Sequence, residues 1–100
     1  RGDKMSNDVI QMKFNTVTRL TASWCGPCKS YAPIFEEVTD GFVDDWKIVT
    51  LDVDTEEGKE FAMKHGTRSV PTTVIEHRGQ EAVVVPGALD KTKLEFLLTK

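Results

Sequence analysis

The sequence predicts one α/β domain in the order β-α-β-α-β-β-α, a central mixed sheet of four to five strands flanked by helices. Three observations predict it. Strand-like segments at residues 14–21 and 46–53 enclose a stretch of helical periodicity, which implies a parallel pair joined by a right-handed crossover. Two more strand-like segments flank Arg78-Gly79-Gln80, a hairpin signal that adds antiparallel strands. The chain then closes on a leucine-striped segment behind a capping residue. One hundred residues form one domain, residues 1–100, with a radius of gyration of roughly 13 Å if compact.

The elements follow in order. Val9 to Met12 has room for one short strand. Phe14 to Thr21 sets Val17 and Leu20 among threonines and reads as a strand. From Cys28 the apolar positions run Cys28, Tyr31, Phe35, Val38 and Phe42, the spacing of a helix face. Pro27 suits its first turn, where a missing N–H costs little. Pro33 falls inside it and is expected to kink it. Trp46 to Val53, with Ile48, Val49 and Leu51, is nearly continuous apolar sequence, as in a strand covered on both faces. Asp54 and Glu57 stand at N-cap and N3 spacing, opening a short helix that ends at Gly66 with His65 as a dipole partner in its last turn. Thr72 to His77 and Glu81 to Val85 are the hairpin strands. Asp90 caps the last helix, Leu89 and Leu94 form a hydrophobic staple, and Leu94, Leu97 and Leu98 its apolar stripe.

Composition bounds the function. The chain is 39% hydrophobic and 29% charged, with a net charge of -3. A nucleic-acid footprint is normally basic, so no nucleic-acid partner is expected. No apolar stretch approaches the ~20 residues of a membrane span, so no membrane association is expected. Arg1-Gly2-Asp3-Lys4 precedes Met5 without the apolar core of a secretory signal; the reading takes Met5 as the natural start, residues 1–4 as an appended remnant, and the cytoplasm as the location. Two cysteines at this spacing do not form a secreted disulfide scaffold.

The chemistry concentrates in Trp24-Cys25-Gly26-Pro27-Cys28-Lys29, which holds both cysteines of the chain. The segment lies at the carboxyl end of one strand and the start of a helix, where open α/β sheets gather their ligands. Free N–H groups and the positive end of the helix dipole favour an anion there, and the thiolate is the reactive form of cysteine. One helical turn between the sulfurs allows a small reversible disulfide. Against this redox reading stand a pair of inert buried cysteines and half of a zinc site. Zinc lacks two further ligands, since His65 and His77 are tied to other elements, and no metal is expected. The acidic residues Asp52, Asp54, Glu56 and Glu57 read as a helix cap with a solvated face.

With its supporting residues the motif resembles thioredoxins over roughly residues 14–100. Those residues are Pro33, Val70-Pro71-Thr72, Gly79 in the hairpin, and Gly87-Ala88-Leu89. The resemblance implies a thioredoxin-like fold and a protein-disulfide reductase working by dithiol–disulfide exchange. In it Cys25 attacks and Cys28 resolves, with Gly26 and Pro27 tuning the poise. It implies a cis peptide before Pro71 and a flat apolar collar of Trp24, Val70, Pro71, Gly87 and Ala88 that binds extended substrate, the Val70 backbone pairing with it. No bound cofactor is implied. The implied partners are disulfide-containing proteins and a thioredoxin reductase as electron donor, the chain serving electron transport and cell redox homeostasis as a monomer.

The chain also departs from the family. A buried aspartate five residues before the tryptophan is replaced by Arg19, and its lysine partner by Thr50. An isolated buried charge is costly, so Arg19 is expected to pair with an acid such as Asp52 or Asp54 or to reach solvent at the sheet's edge. Ser69 stands where glycine is common. Two rival readings are a glutaredoxin-like reductase, against which Gly-Pro between the cysteines argues, and a thioredoxin-fold binding module or processivity subunit whose redox activity is incidental.

Overall fold

The computed structural model describes residues 15–99, and their elements follow the expected order. They are β1 (Asn15–Thr21), α1 (Gly26–Asp40), β2 (Trp46–Asp52), α2 (Glu56–Lys64), β3 (Thr72–Glu76), β4 (Val83–Pro86) and α3 (Lys91–Thr99). The strand expected at Val9 to Met12 lies outside the described residues. The four strands form one sheet in the order β2-β1-β3-β4. β1 runs parallel to β2 and antiparallel to β3, and β3 pairs antiparallel with β4.

This order places β1 and β3 centrally, and their side chains are the most deeply buried: Val17, Leu20, Thr72, Thr73 and Val74 are at 0% exposure. β2 had been expected to be covered on both faces. Instead it is an edge strand among the described residues and only its first residue, Trp46, is fully buried. Its apolar run faces a groove shared with α2 and lined by Thr16, Thr18, Val49, Leu51 and Phe61.

On the other face α1 and α3 build the core. Tyr31, Phe35 and Val38 of α1 meet Leu94 and Leu98 of α3 over Val17 and Ile75, with Trp46 and Leu89 closing the cluster. Burying side chains of this size contributes about 1.5–3 kcal/mol each. A 2.8 Å ion pair between Lys91 and Glu37 bridges the two helices on the outside.

The caps explain the helix boundaries. Asp90 accepts the Lys93 N–H at 2.8 Å and opens α3, with Leu89 and Leu94 both buried as a staple requires. For α2 the cap is Thr55, not Asp54. The Thr55 hydroxyl oxygen accepts the Gly58 N–H at 3.0 Å, while Asp54 is one residue too early to reach it. α2 stops at Lys64, and Gly66 takes φ +67°, the left-handed conformation that suits glycine. His65 is the C-cap residue, and its ring leans on Phe61 at 4.4 Å between centroids. α1 ends at Asp40, so Phe42 packs on the core from the turn beyond the helix. Strand β4 begins at Val83, later than the expected Glu81, because the loop from His77 consumes more residues than the Arg78-Gly79-Gln80 turn.

Candidate active site

The segment between β1 and α1 carries both cysteines, and the chain turns there because Cys25 caps the helix with its own side chain. Cys25 has extended backbone (φ -100°, ψ 111°) and its Sγ accepts the Cys28 N–H at 3.2 Å. Gly26 and Pro27 form the first turn, where Pro27 leaves no helical hydrogen bond unmade. Cys25 and Cys28 are joined by a disulfide across this turn, with their Cα atoms 5.3 Å apart.

Two elements distant in sequence complete the surroundings. The Val70–Pro71 peptide is cis, as the resemblance implied, and the Val70 carbonyl oxygen lies 3.6 Å from Cys25 Sγ. In the dithiol form an S–H at that place would donate to it. The Gly87 N–H donates to the Pro71 carbonyl at 2.8 Å, bringing the Gly87-Ala88 segment alongside the Pro71 loop. Gly87 holds φ +90°, a conformation that a side chain would strain. Ala88 is exposed next to it. The Thr72 hydroxyl donates to the Ser69 carbonyl at 2.7 Å and stiffens the same loop from within.

Trp24 is 67% exposed, a surface residue and not a core aromatic. The two sulfurs are less accessible than an attacking thiol had been expected to be: Cys25 is 5% exposed and Cys28 1%. The reason is the cluster that the cysteines form with Ala22, against which Val53 and Val70 pack. The groove lined by Thr16 and Phe61 includes neither cysteine.

Arg19 overturns both expectations for it. It neither pairs with Asp52 or Asp54 nor reaches solvent, because β1 is a central strand and Arg19 points toward α1. The residue is 7% exposed, its Cζ lies 5.3 Å from the centroid of the Phe35 ring, and its Nη2 donates a long 3.4 Å hydrogen bond to Thr50 Oγ1. Its Nε is buried without a hydrogen-bond partner among the described residues. Burial lowers the guanidinium's proton affinity, and the charge of Glu36 works the other way. Beside it, Tyr31 Oη and Thr73 Oγ1 share a 2.7 Å hydrogen bond, and burial pushes the phenol above its ordinary range.

Three relationships escape sequence reading. Asp54 was read as a helix cap, yet its carboxylate accepts the Trp24 indole N–H at 2.9 Å. Tyr31 was read as core, without its hydroxyl's partner; Thr73, a second threonine in an otherwise apolar strand, was the available signal. Gly58 is buried where α2 crosses the end of β2, and a side chain there would collide with the Asp52 carbonyl. Among the described residues no three His, Cys, Asp or Glu side chains converge as a metal-ligand group.

The thioredoxin family model matches residues 2–100. Thioredoxin 1 of Synechococcus elongatus is 36% identical over 93 residues, spanning 93% of this chain and 85% of the relative. Thioredoxin 1 of a Nostoc species is 39% identical over the same length and coverage. Among solved structures, the thioredoxin of Malassezia sympodialis superimposes with a TM-score of 0.73 at 34% identity, covering 93% of this chain and 82% of that one. Chloroplastic thioredoxin z shares the fold with a TM-score of 0.76 at 24% identity, over 98% of this chain and 87% of its own.

Proposed function

The chain belongs to the thioredoxin family and is a protein thiol–disulfide oxidoreductase, and we propose that Cys25 is its attacking thiol and Cys28 its resolving thiol. The observation that carries the assignment is the helix cap. Cys25 Sγ receives the Cys28 N–H at the start of a helix 15 residues long, so a thiolate at Cys25 gains both a hydrogen bond and the dipole. Cys28 lies one turn further in and is almost fully enclosed.

The Cys25 thiolate attacks one sulfur of a substrate disulfide. A mixed disulfide forms and the other substrate sulfur leaves as a thiolate, which takes a proton from solvent. Cys28 then loses its proton and attacks Cys25 Sγ. That step releases the second substrate thiol and leaves the Cys25–Cys28 disulfide, two electrons having passed to the substrate. A thioredoxin reductase returns two electrons and two protons to the pair. Trp24, Val70, Pro71, Gly87 and Ala88 form the surface against which extended substrate lies, with the Val70 carbonyl as a backbone acceptor. Dithiols of this kind work where the surroundings are reducing, which supports a cytoplasmic location; no described helix is long and apolar enough to cross a membrane.

Insulin reduction with dithiothreitol or a thioredoxin reductase as electron source tests the reading. Wild type is expected to reduce insulin, Cys25→Ser to be inactive, and Cys28→Ser to accumulate a mixed disulfide visible by intact mass. A mixed disulfide trapped on Cys28 in Cys25→Ser, and none on Cys25 in Cys28→Ser, would reverse the roles.

A further inference from the structure

We infer that Arg19 sets the redox poise of the Cys25–Cys28 couple by holding a fixed positive charge beneath α1. The inference rests on the assignment of those two residues as the exchanging pair. Arg19 sits on the central strand that leads into the cysteine segment, in register with Thr50 on one side and Thr73 on the other. None of these partners is an anion. Among the described residues the guanidinium forms no ion pair, its Nε has no hydrogen-bond partner, and its one hydrogen bond goes to a neutral hydroxyl.

The charge lies under the helix that begins at Cys25. The face of α1 turned to the sheet carries Cys28, Tyr31 and Phe35 in succession, all buried. Arg19 rests on the Phe35 ring and its charge is felt at the Tyr31 hydroxyl. A rise of 1.5 Å per residue places those positions roughly 9 and 15 Å along the axis from Cys25, the residue that ionises. In a site with an effective dielectric near 20, a unit charge on the order of 10 Å away shifts an ionisation by about tenfold.

Other charges on neighbouring elements do not cancel it. Tyr31 keeps its proton at neutral pH, because burial raises it. Glu36 of α1 offsets part of the field but is exposed, and so are Lys29 and Asp54 near the cysteines, where water screens them.

The direction follows from the charges of the two redox states. Reduction adds two electrons and two protons to a neutral disulfide, and a thiol that then ionises returns one proton to solvent. A buried cation stabilises that thiolate and leaves the disulfide unaffected. The couple therefore becomes more oxidising than it would be with a neutral residue at position 19.

Three variants of the whole chain test this: Arg19→Met, Arg19→Gln and Arg19→Lys. Two readouts are taken, the pH midpoint of Cys25 alkylation by iodoacetamide and the equilibrium with a glutathione redox buffer. Met and Gln are expected to raise the midpoint by about one unit and, in a buffer above both midpoints, to shift the equilibrium by up to about tenfold toward the disulfide, about 30 mV for a two-electron couple. Lys is expected to stay near wild type. The inference is overturned if the folded neutral variants, checked by circular dichroism, match wild type in both readouts, or if Lys behaves like Met. A change in melting temperature alone also counts against it. Those outcomes leave insulin reduction by wild type intact, whereas failure of wild type to reduce insulin removes the cysteine assignment itself.

Discussion

Asp54 accepts the indole N–H of Trp24 at 2.9 Å, so the exposed ring beside Cys25 is held by a residue 30 positions away. Asp54 itself is fixed from behind, its N–H donating to Asp52 Oδ1 at 2.8 Å. The ring is thereby kept in one place without being buried. A hydrogen bond to a charged acceptor is worth about 1.5–3 kcal/mol, and exposure brings this one toward the lower end. Asp54→Ala is expected to lower kcat/KM for insulin about three- to tenfold. Oxidation by a small disulfide, which does not dock on the proposed collar, is expected to keep its wild-type rate. Equal loss on both would show that Asp54 acts on the sulfur chemistry and not on docking.

Tyr31, the one tyrosine of the chain, gives the stability a definite alkaline limb. Burial raises its phenol above the ordinary value near 10 despite the hydrogen bond to Thr73 and the charge of Arg19. The contribution is fully present below the unfolded value and is lost as pH rises from there through the folded one, because the unfolded chain gives up its proton first. Urea denaturation between pH 9 and 12 is expected to show this fall, with a slope of at most about 1.4 kcal/mol per pH unit. Tyr31→Phe should remove that component while costing about 1 kcal/mol at neutral pH, where Thr73 loses its partner.

Arg19 sits in the core at a cost. Replacing a buried charge by a well-packed apolar side chain is often stabilising by about 1–4 kcal/mol, although contact with Phe35 offsets some of this. Arg19→Met is accordingly expected to raise the denaturation midpoint, corresponding to about 1–3 kcal/mol. A lowered midpoint would mean that the guanidinium is better satisfied by Thr50 and Phe35 than their geometry indicates.

Gly58 is the tightest glycine in the described chain. Its N–H is bound by Thr55, and a methyl group would strike the Asp52 carbonyl and the backbone of Val53. Neither neighbour is a flexible side chain that can swing away. Gly58→Ala is expected to destabilise the protein by about 3 kcal/mol, at the upper end of overpacking effects. Gly41, where an added Cβ meets only ordinary contact, serves as the control.

The element order, the first-turn proline Pro27, the cap at Asp90 and the cysteine segment were all legible in the sequence, because each depends on neighbours within a few residues. Thr55 took the cap role from Asp54 by a shift of one position, which no spacing rule of this kind resolves. Asp54 then became available to Trp24, a pairing that only the three-dimensional approach of two loops creates. Arg19 departs from its expected setting for a topological reason. Its fate depended on whether β1 lies at the edge or in the middle of the sheet, and that depends on β3, more than 50 residues later. Likewise, β2 was read as covered on both faces, since an apolar run does not reveal which side of it remains open.

Cys25 closes the start of α1 with the same sulfur that is proposed to carry out the exchange. A thiolate is a stronger acceptor than a disulfide sulfur, so the amide proton of Cys28 is gripped more firmly after reduction than before it. Deuterium uptake at this single position is expected to report the oxidation state, slower in the reduced protein than in the oxidised one. On the proposed roles, the first turn of the helix is expected to tighten on reduction and loosen on oxidation.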